Sequence, residues 1–208
     1  FALAALGAMD DFEAHEALAS LLPSSSAETR YGAFRALWAM NEHDPLIRDV
    51  KISSEFHYHV LDVEGPAMIH LTRNTRPEFV IFGREQRFTA PLSIEAGPRI
   101  LINSTDSEHV TVSRFEVGRP DQKKVVSFAV DDVIRAVADL GGTYPDIVQA
   151  LQQAKAAKSL PSRLEVEAVP KAGRIFDRDD ENGENDGIDI EAPRPDLFPD
   201  ASLTASEK

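Results

Sequence analysis

The chain has 208 residues, of which 42% are hydrophobic and 27% charged, enough apolar material for the core of one domain or two small ones. It contains no cysteine, which excludes disulfides, thiolate catalysis, cysteine-based zinc sites and iron–sulfur clusters. The formal charge of −13 argues against binding to a nucleic-acid phosphate backbone, and no apolar run reaches the roughly 18–20 residues of a membrane span.

Residues 1–47 show the periodicity of α-helices. Their apolar side chains fall at helical spacing in three stripes, namely Leu3, Leu6 and Met9, then Ala14, Leu18, Leu21 and Leu22, then Tyr31, Phe34, Leu37 and Trp38. The third helix is expected to start near Ser26, whose hydroxyl suits an N-cap, with Glu28 in its first turn. The pattern predicts three short helices.

These helices carry an internal sequence repeat. Residues 5–10 match residues 36–41, and four of the six positions are identical. A period of about 30 residues made of two helices is typical of an α-solenoid, and residues 27–37 resemble the second helix of a HEAT-like repeat. Because a repeat cannot bury its apolar face alone, we expect further repeats upstream and interpret the chain as a C-terminal fragment of a longer protein. An ordinary alanine-rich helical bundle is the alternative.

From residue 48 the pattern changes to the alternation of β-strands. Residues 50–60 alternate apolar and polar side chains, which predicts one strand with a single buried face. Turn residues separate the further predicted strands, which lie at 67–72, 78–82, 92–94, 99–103, 109–117, 124–130 and 163–169. Such a series predicts a β-sandwich or a partly open barrel.

Two helices are predicted before the last strand. The first covers residues 131–140 and ends at Gly141 and Gly142, as glycine C-caps do. The second has Pro145 in its first turn and ends before Pro161. Both therefore close the β-rich part of the chain.

The end of the chain differs in composition. Residues 177–208 hold eleven acidic and three basic side chains and few large apolar ones, so we expect a disordered acidic tail. The predicted fold class is α+β in three parts. HEAT-like solenoid helices occupy residues 1–47, a β-rich sandwich or partly open barrel with two C-terminal helices occupies residues 48–176, and the tail follows.

Three histidines are the candidates for a metal site. His57 and His59 lie two residues apart on one predicted strand, so they face the same side, and His70 lies on the next strand. Three imidazoles in this pattern can hold zinc and leave a fourth position open. The same face carries other polar side chains, namely Lys51, Ser53 and Glu55. We therefore favour a solvated polar face that holds no metal, with His57, His59 and His70 as the residues to test.

Other reactive patterns are missing from the sequence. There is no Gly-x-Ser-x-Gly nucleophile motif and no glycine-rich phosphate loop. The pair Asp131 and Asp132 is most simply the acidic start of a helix. We expect no catalytic residues and no cofactor, and we do not expect an enzyme.

Six segments resemble a known group of proteins. They are RPEFVIFG (76–83), AGPRILI (96–102), VTVSRF (110–115), VIRAV (133–137), GGTYPD (141–146) and LPSR (160–163). Together they resemble the C-terminal extension of flagellar basal-body P-ring proteins of planctomycete-type bacteria, in which HEAT-like repeats precede the extension. The resemblance covers nearly the whole chain up to Phe176. It implies a periplasmic structural protein around the flagellar rod, with protein partners, self-assembly in a ring and no catalytic residues.

Three hypotheses on function follow. The preferred one is a non-catalytic structural or assembly protein of the P ring, which acts through protein–protein surfaces in the periplasm. The second is a cytoplasmic HEAT-repeat scaffold that binds proteins on the concave face of its solenoid. The third is a metal-dependent enzyme that uses His57, His59 and His70.

Overall fold

The computed structural model of the chain describes residues 2–51, 57–72, 77–83, 85–104 and 106–166. These residues form a mixed α+β fold with five helices and two sheets. The helices are α1 (Ala2–Met9), α2 (Phe12–Leu21), α3 (Ala27–Met40), α4 (Val130–Asp139) and α5 (Tyr144–Ala156). The strands are β1 (Ile47–Lys51), β2 (His57–Leu61), β3 (Met68–Leu71), β4 (Glu78–Phe82), β5 (Ser93–Ala96), β6 (Ile100–Ser104), β7 (His109–Arg114), β8 (Gln122–Ser127) and β9 (Arg163–Val166).

The three helices predicted in residues 1–47 are confirmed as α1, α2 and α3. Ser26 caps α3, because its Oγ accepts a hydrogen bond from the amide three residues further on. Asp11 caps α2 in the same way, and Asp10 before it has a φ of +52°, which reverses the chain directly after α1. α1 lies close against α3, since a Cβ built on Gly7 would stand 3.1 Å from the Cβ of Ala36.

The single strand predicted at residues 50–60 is wrong. The structure has two antiparallel strands there, β1 and β2, with Ile47 opposite Leu61 and Lys51 opposite His57. Residues 52–56 lie outside the described residues. The prediction failed because both strands alternate with the same period of two, and no glycine or proline marks a turn between them.

The first sheet, sheet I, has the strand order β1-β2-β4-β3-β9. β2 pairs with β4 in parallel and β3 with β9 in parallel, while the other neighbours are antiparallel. β4 is the central strand, and all five of its residues are buried because both faces of the sheet are covered. One face packs against α1–α3 through Val80 and Phe82, and Phe79 and Ile81 point into the core on the other side.

The second sheet, sheet II, is an antiparallel meander with the order β5-β6-β7-β8. Its inner side chains, such as Ile94, Ile102 and Val112, share one core with the second face of sheet I and with α4 and α5. Both sheets are open over the described residues. The described part of the chain is therefore a two-sheet α+β fold without a closed barrel.

The β5–β6 turn lies against the start of α5. Gly97 in this turn has a φ of +68°, and a Cβ built on it would stand 2.0 Å from Oδ1 of Asp146. The same Asp146 carboxylate accepts hydrogen bonds from the amide and the hydroxyl of Thr143, at 2.8 Å each, and so caps α5. Glycine is required at residue 97 by both its backbone conformation and the close approach of α5.

All described residues fall within one compact unit, Phe1–Pro170. The predicted acidic tail, residues 177–208, lies outside the described residues, and the division of the chain at residues 47 and 176 stays a prediction. Among the described helices, none combines the length and the apolar character that a membrane crossing requires.

Candidate functional site

The predicted histidines lie on the face of sheet I that α3 covers. His59 and His70 are each only 1% exposed, whereas His57 at the start of β2 is exposed. The prediction of a solvated polar face is therefore wrong for His59 and His70. It treated the sheet as covered on one side only, whereas α1–α3 pack over the side that carries these histidines.

The structure does not bring the three histidines together. His59 and His70 are both paired with Val80 of β4, one from each side, so a whole strand separates them. Two strand spacings amount to about 9–10 Å. Among the described residues, no group of three or more His, Asp and Glu side chains is arranged to hold a metal ion.

The histidines instead belong to a set of polar and aromatic side chains between α3 and sheet I. We call this set the interface cluster, and its members are Tyr31, Arg35, Trp38, Asp49, His59, His70 and Glu78. α3 contributes the first three, which lie four and three residues apart and so share one helix face. β1, β2, β3 and β4 contribute one member each.

Glu78 is the centre of the interface cluster. It is 7% exposed, and its carboxylate accepts a hydrogen bond from the Tyr31 hydroxyl at 2.6 Å and one from Arg35 Nη1 at 3.2 Å. Nε2 of His59 lies 3.7 Å from the second oxygen. Both carboxylate oxygens are thus in contact with donors or a cation of the same chain, as a buried charge requires.

His59 lies between two carboxylates and two aromatic rings. Its Nδ1 is 3.3 Å from Oδ1 of Asp49 but lacks hydrogen-bond geometry, and its Nε2 faces Glu78. The centroid of the Trp38 ring is 4.5 Å from the imidazole, and that of Phe34 is 4.9 Å away. The imidazole therefore serves as a packed, polar link between α3 and the strands.

His70 lies on β3, which β4 separates from the strand of His59, and its environment is different. Its ring stacks on Tyr31, with a centroid distance of 3.9 Å and an interplanar angle of 16°. The Tyr31 hydroxyl reaches past this stack to Glu78. Tyr31 therefore joins α3 to both β3 and β4 through one side chain.

The burial of the interface cluster shifts the pKa of two of its members. Burial and the hydrogen bond to Glu78 raise the pKa of the Tyr31 phenol well above its ordinary value. Burial alone would raise the pKa of Glu78, but the contacts with His59 and Tyr31 and the charge of Arg35 outweigh it and lower the pKa. Glu78 is therefore ionised at neutral pH, and Tyr31 is a hydrogen-bond donor.

A second polar cluster joins sheet I to α4. Tyr58, fully buried on β2, places its hydroxyl against Asp131 and accepts a hydrogen bond from Arg135 Nε at 2.8 Å. Arg48 of β1 donates to the same aspartate at 2.7 Å. Burial would raise the pKa of Asp131, but Tyr58 and the two arginines lower it. Asp131 lies in the first turn of α4, as the sequence indicated, and it also ties that helix to two strands.

The sequence analysis missed the main members of the interface cluster. Two signals in the sequence could have indicated them. Glu78 is the first residue of an otherwise apolar strand, and Tyr31 and Arg35 lie four residues apart on α3. A charged residue at the start of a strand buried on both faces needs a partner. Arg30 was missed as well. It is 1% exposed, donates to the Leu22 carbonyl at 2.6 Å and lies over the Phe82 ring at 4.6 Å.

No protein-family model, no curated protein and no solved structure matches this chain. The resemblance of residues 76–163 to P-ring proteins therefore stays a prediction. The interface cluster is the main physical basis for a proposal on function, because in it the polar side chains of α3 contact the buried polar side chains of sheet I.

Proposed function

We propose that this protein is a non-catalytic structural or assembly protein that acts through protein–protein surfaces. The observation that supports the proposal is the set of contacts that the Glu78 carboxylate makes within the interface cluster. Its contacts with Tyr31, Arg35 and His59 hold α3 on sheet I and engage both of its carboxylate oxygens within the protein. A catalytic acid or base needs the opposite arrangement, within reach of a substrate atom.

The helical layer fits the end of a HEAT-like α-solenoid in this proposal. The repeated residues 5–10 and 36–41 fall at the ends of α1 and α3, and these two helices pack closely through Gly7 and Ala36. Equivalent helices of successive repeats are neighbours in a solenoid. The interface cluster then fastens the last repeat to sheet I.

The place of action follows from the resemblance alone. P-ring proteins surround the flagellar rod in the periplasm, so we propose that this protein is a component of that ring, with copies of itself and other basal-body proteins as partners. Neither catalysis nor a cofactor is part of this role.

Quantitative mass spectrometry of native cells tests this proposal. Purified basal bodies are compared with periplasmic and cytosolic fractions through the tryptic peptide at residues 136–155, which follows Arg135 and ends at Lys155. Enrichment in basal bodies, with a known rod protein as the positive control, is the expected result. Detection in the cytosol alone would overturn the flagellar role and favour the cytoplasmic scaffold.

The metal-enzyme alternative has its own test. Metal analysis of the purified protein should find less than one equivalent of zinc, and a chelator should leave its melting temperature unchanged. Stoichiometric zinc that is lost on His59→Ala and His70→Ala, but kept on the exposed control His109→Ala, would favour the enzyme instead.

A further inference from the structure

The outer edge of β9 has no neighbouring strand among the described residues. β9 is the last strand of sheet I, and it pairs with β3 on its other side. The amide of Arg163 donates to the carbonyl of Ala67, so it points toward β3. Because successive amides of a strand point to opposite edges, those of Leu164 and Val166 are directed outward. An edge of this kind can accept one more strand.

An apolar groove lies between the end of β9 and α5. It has a volume of about 410 Å³, and we call it the edge groove. The side chains that line it include Leu71, Tyr144, Val148, Gln152 and Val166. Val148 and Val166 pack against the core that both sheets share, but they stay partly exposed. None of the described residues that line the edge groove is charged, so it suits an apolar side chain.

A strand added to β9 places a side chain in the edge groove. Val166 lies in register with Leu71, whose side chain belongs to the core that α5 also covers. Side chains directly opposite each other on paired strands are about 4.5–5.5 Å apart, and every second one shares a face. One extended segment with alternating apolar residues can therefore use the outward amides and the edge groove together, as in other cases of strand addition.

The sequence around the start of β9 is basic. Residues 147–164 contain three bases and no acid, in a chain of net charge −13. Arg163 is paired with Glu165 at 2.5 Å. Among the described residues, neither Lys155 nor Lys158 forms an ion pair, although Lys155 donates hydrogen bonds to carbonyl groups. The two lysines therefore leave positive charge beside the edge, which complements an acidic partner.

Lys155 is held on the side of α5 that carries the edge groove. Its Nζ donates to the carbonyls of residues 160–162, directly before β9, at 2.7–3.3 Å. It follows Val148 by seven residues, or two helical turns, so both lie on one face of α5. Glu95 of β5 contacts α5 at Gln153, which is five residues after Val148 and so about 140° around the helix. That acid is therefore on a different flank of α5.

We propose that β9 and the edge groove bind an extended, acidic segment of a partner protein, which adds a sixth strand to sheet I. An apolar side chain of the segment enters the edge groove beside Val166, and an acidic side chain approaches Lys155. A second copy of this chain is a poorer partner, because its own edge carries the same bases. This inference rests on the proposed action through protein–protein surfaces, and it names one such surface and the chemistry of its partner.

Fluorescence anisotropy of a labelled peptide with the 208-residue chain tests the proposal. The peptide has a Val-Thr-Val centre with Glu and Asp at each end, so acids lie near Lys155 in either strand direction. It should bind saturably with a Kd of about 10–100 μM. A peptide with lysine in place of every acid should bind at least about tenfold more weakly, and about 1 M salt should reduce that difference. The acidic peptide methylated at its backbone nitrogens should not bind, because it cannot donate hydrogen bonds to the edge.

A substitution at residue 166 tests the edge itself. Val166→Pro removes an outward amide, and proline is tolerated on edge strands where the amide faces away from the sheet. It should weaken binding at least about tenfold. Val166→Thr keeps the amide and the β-branched shape, so this matched control should bind as the wild type does. Val148→Glu places an acid in the edge groove without changing β9 and should also weaken binding, which keeps the test valid if the proline variant fails to fold.

Hydrogen exchange distinguishes the possible occupants of the edge. The amides of Leu164 and Val166 should exchange rapidly in the free chain and at least about tenfold more slowly with saturating peptide. Slow exchange in the free chain would mean that the edge is already covered, and it would overturn the proposal. Self-association that Val166→Pro abolishes would assign the edge to a second copy and would also overturn it. Absence of peptide binding, or equal binding by Val166→Pro and Val166→Thr, would have the same consequence.

The two proposals can fail separately. Basal-body enrichment of a chain that does not bind the acidic peptide would leave the structural function in place and remove this docking surface. Peptide binding by a chain found only in the cytosol would keep the docking surface and remove the flagellar role.

Discussion

Replacing Glu78 by glutamine removes the charge at the centre of the interface cluster and keeps its shape. The amide oxygen of glutamine can still accept the hydrogen bond from Tyr31, which is 2.6 Å from the carboxylate in the wild type. What is lost is the ion pair with Arg35, at 3.2 Å, and the negative charge that lies 3.7 Å from Nε2 of His59. The variant therefore measures the contribution of one buried charge to the attachment of α3 to sheet I.

The expected loss of stability follows from the burial of Glu78 and its partner. Removing one partner of a fully buried ion pair costs about 3–5 kcal/mol. Glu78 is nearly buried, but the Arg35 side chain is 34% exposed, so solvent screens part of the attraction. We expect Glu78→Gln to lower the free energy of unfolding by about 2–3 kcal/mol at pH 7.

The difference in stability between the wild type and Glu78→Gln must also become smaller as the pH falls. The folded-state pKa of Glu78 lies below its unfolded value of about 4.3, so its stabilisation is fully present above that pH. As the pH falls through the folded-state pKa, the carboxylate is protonated and this contribution disappears. Glutamine does not titrate, so the difference in stability between the wild type and the variant should begin to shrink below about pH 4.3 and should be lost below the folded-state pKa.

Trp38 provides the assay, because the only tryptophan of the chain lies in the interface cluster, with its ring centroid 4.5 Å from that of His59. Urea unfolding followed by its fluorescence at several pH values reports the attachment of α3 directly. Glu108→Gln, on an exposed loop, is the matched control and should change the free energy of unfolding by less than about 0.5 kcal/mol. A variant as stable as the wild type at pH 7, or a difference that stays constant down to pH 3.5, would refute the reasoning.

Three further substitutions test other contacts by urea unfolding. Ser26→Ala removes the α3 N-cap and should cost about 1 kcal/mol, while Ser26→Thr should restore most of it; equal stabilities of wild type and alanine variant would contradict the cap. Leu37→Ala empties a fully buried position and should cost about 2–5 kcal/mol, and a cost below 1 kcal/mol would mean that α3 does not pack as described. Gly97→Ala should destabilise the protein, because its Cβ collides with Asp146; the variant paired with Asp146→Ala should lose less than the sum of the two single changes.

Much of the architecture could be predicted from periodicity and capping residues. Ser26 marked the start of α3, and the apolar run at residues 78–82 matches β4. The errors arose where two elements share one period. Residues 50–60 continued a single alternation through β1 and β2, so the pattern alone carried no sign of the reversal.

The interface cluster was harder to predict because it depends on which elements cover a sheet. A histidine on an alternating strand is polar whether water or a helix lies above it, so His59 and His70 gave no sign of their 1% exposure. The partners of Glu78 come from residues 43 and 47 positions earlier in the chain. Such long-range pairings follow from the packing of α3 on sheet I, and local sequence patterns do not encode them.

The strand order of sheet I has a consequence for the synthesis of the protein. β3, which is buried at all four residues, is flanked by β4 and β9, yet β9 begins about 90 residues after β3 ends. At about 5–20 residues per second, a nascent chain exposes one edge of this apolar strand for roughly 5–20 s before its second neighbour leaves the ribosome. Unpaired apolar edges recruit other chains. Chains cut before Arg163 keep this edge open permanently and should aggregate during expression, whereas chains that extend through β9 can cover it.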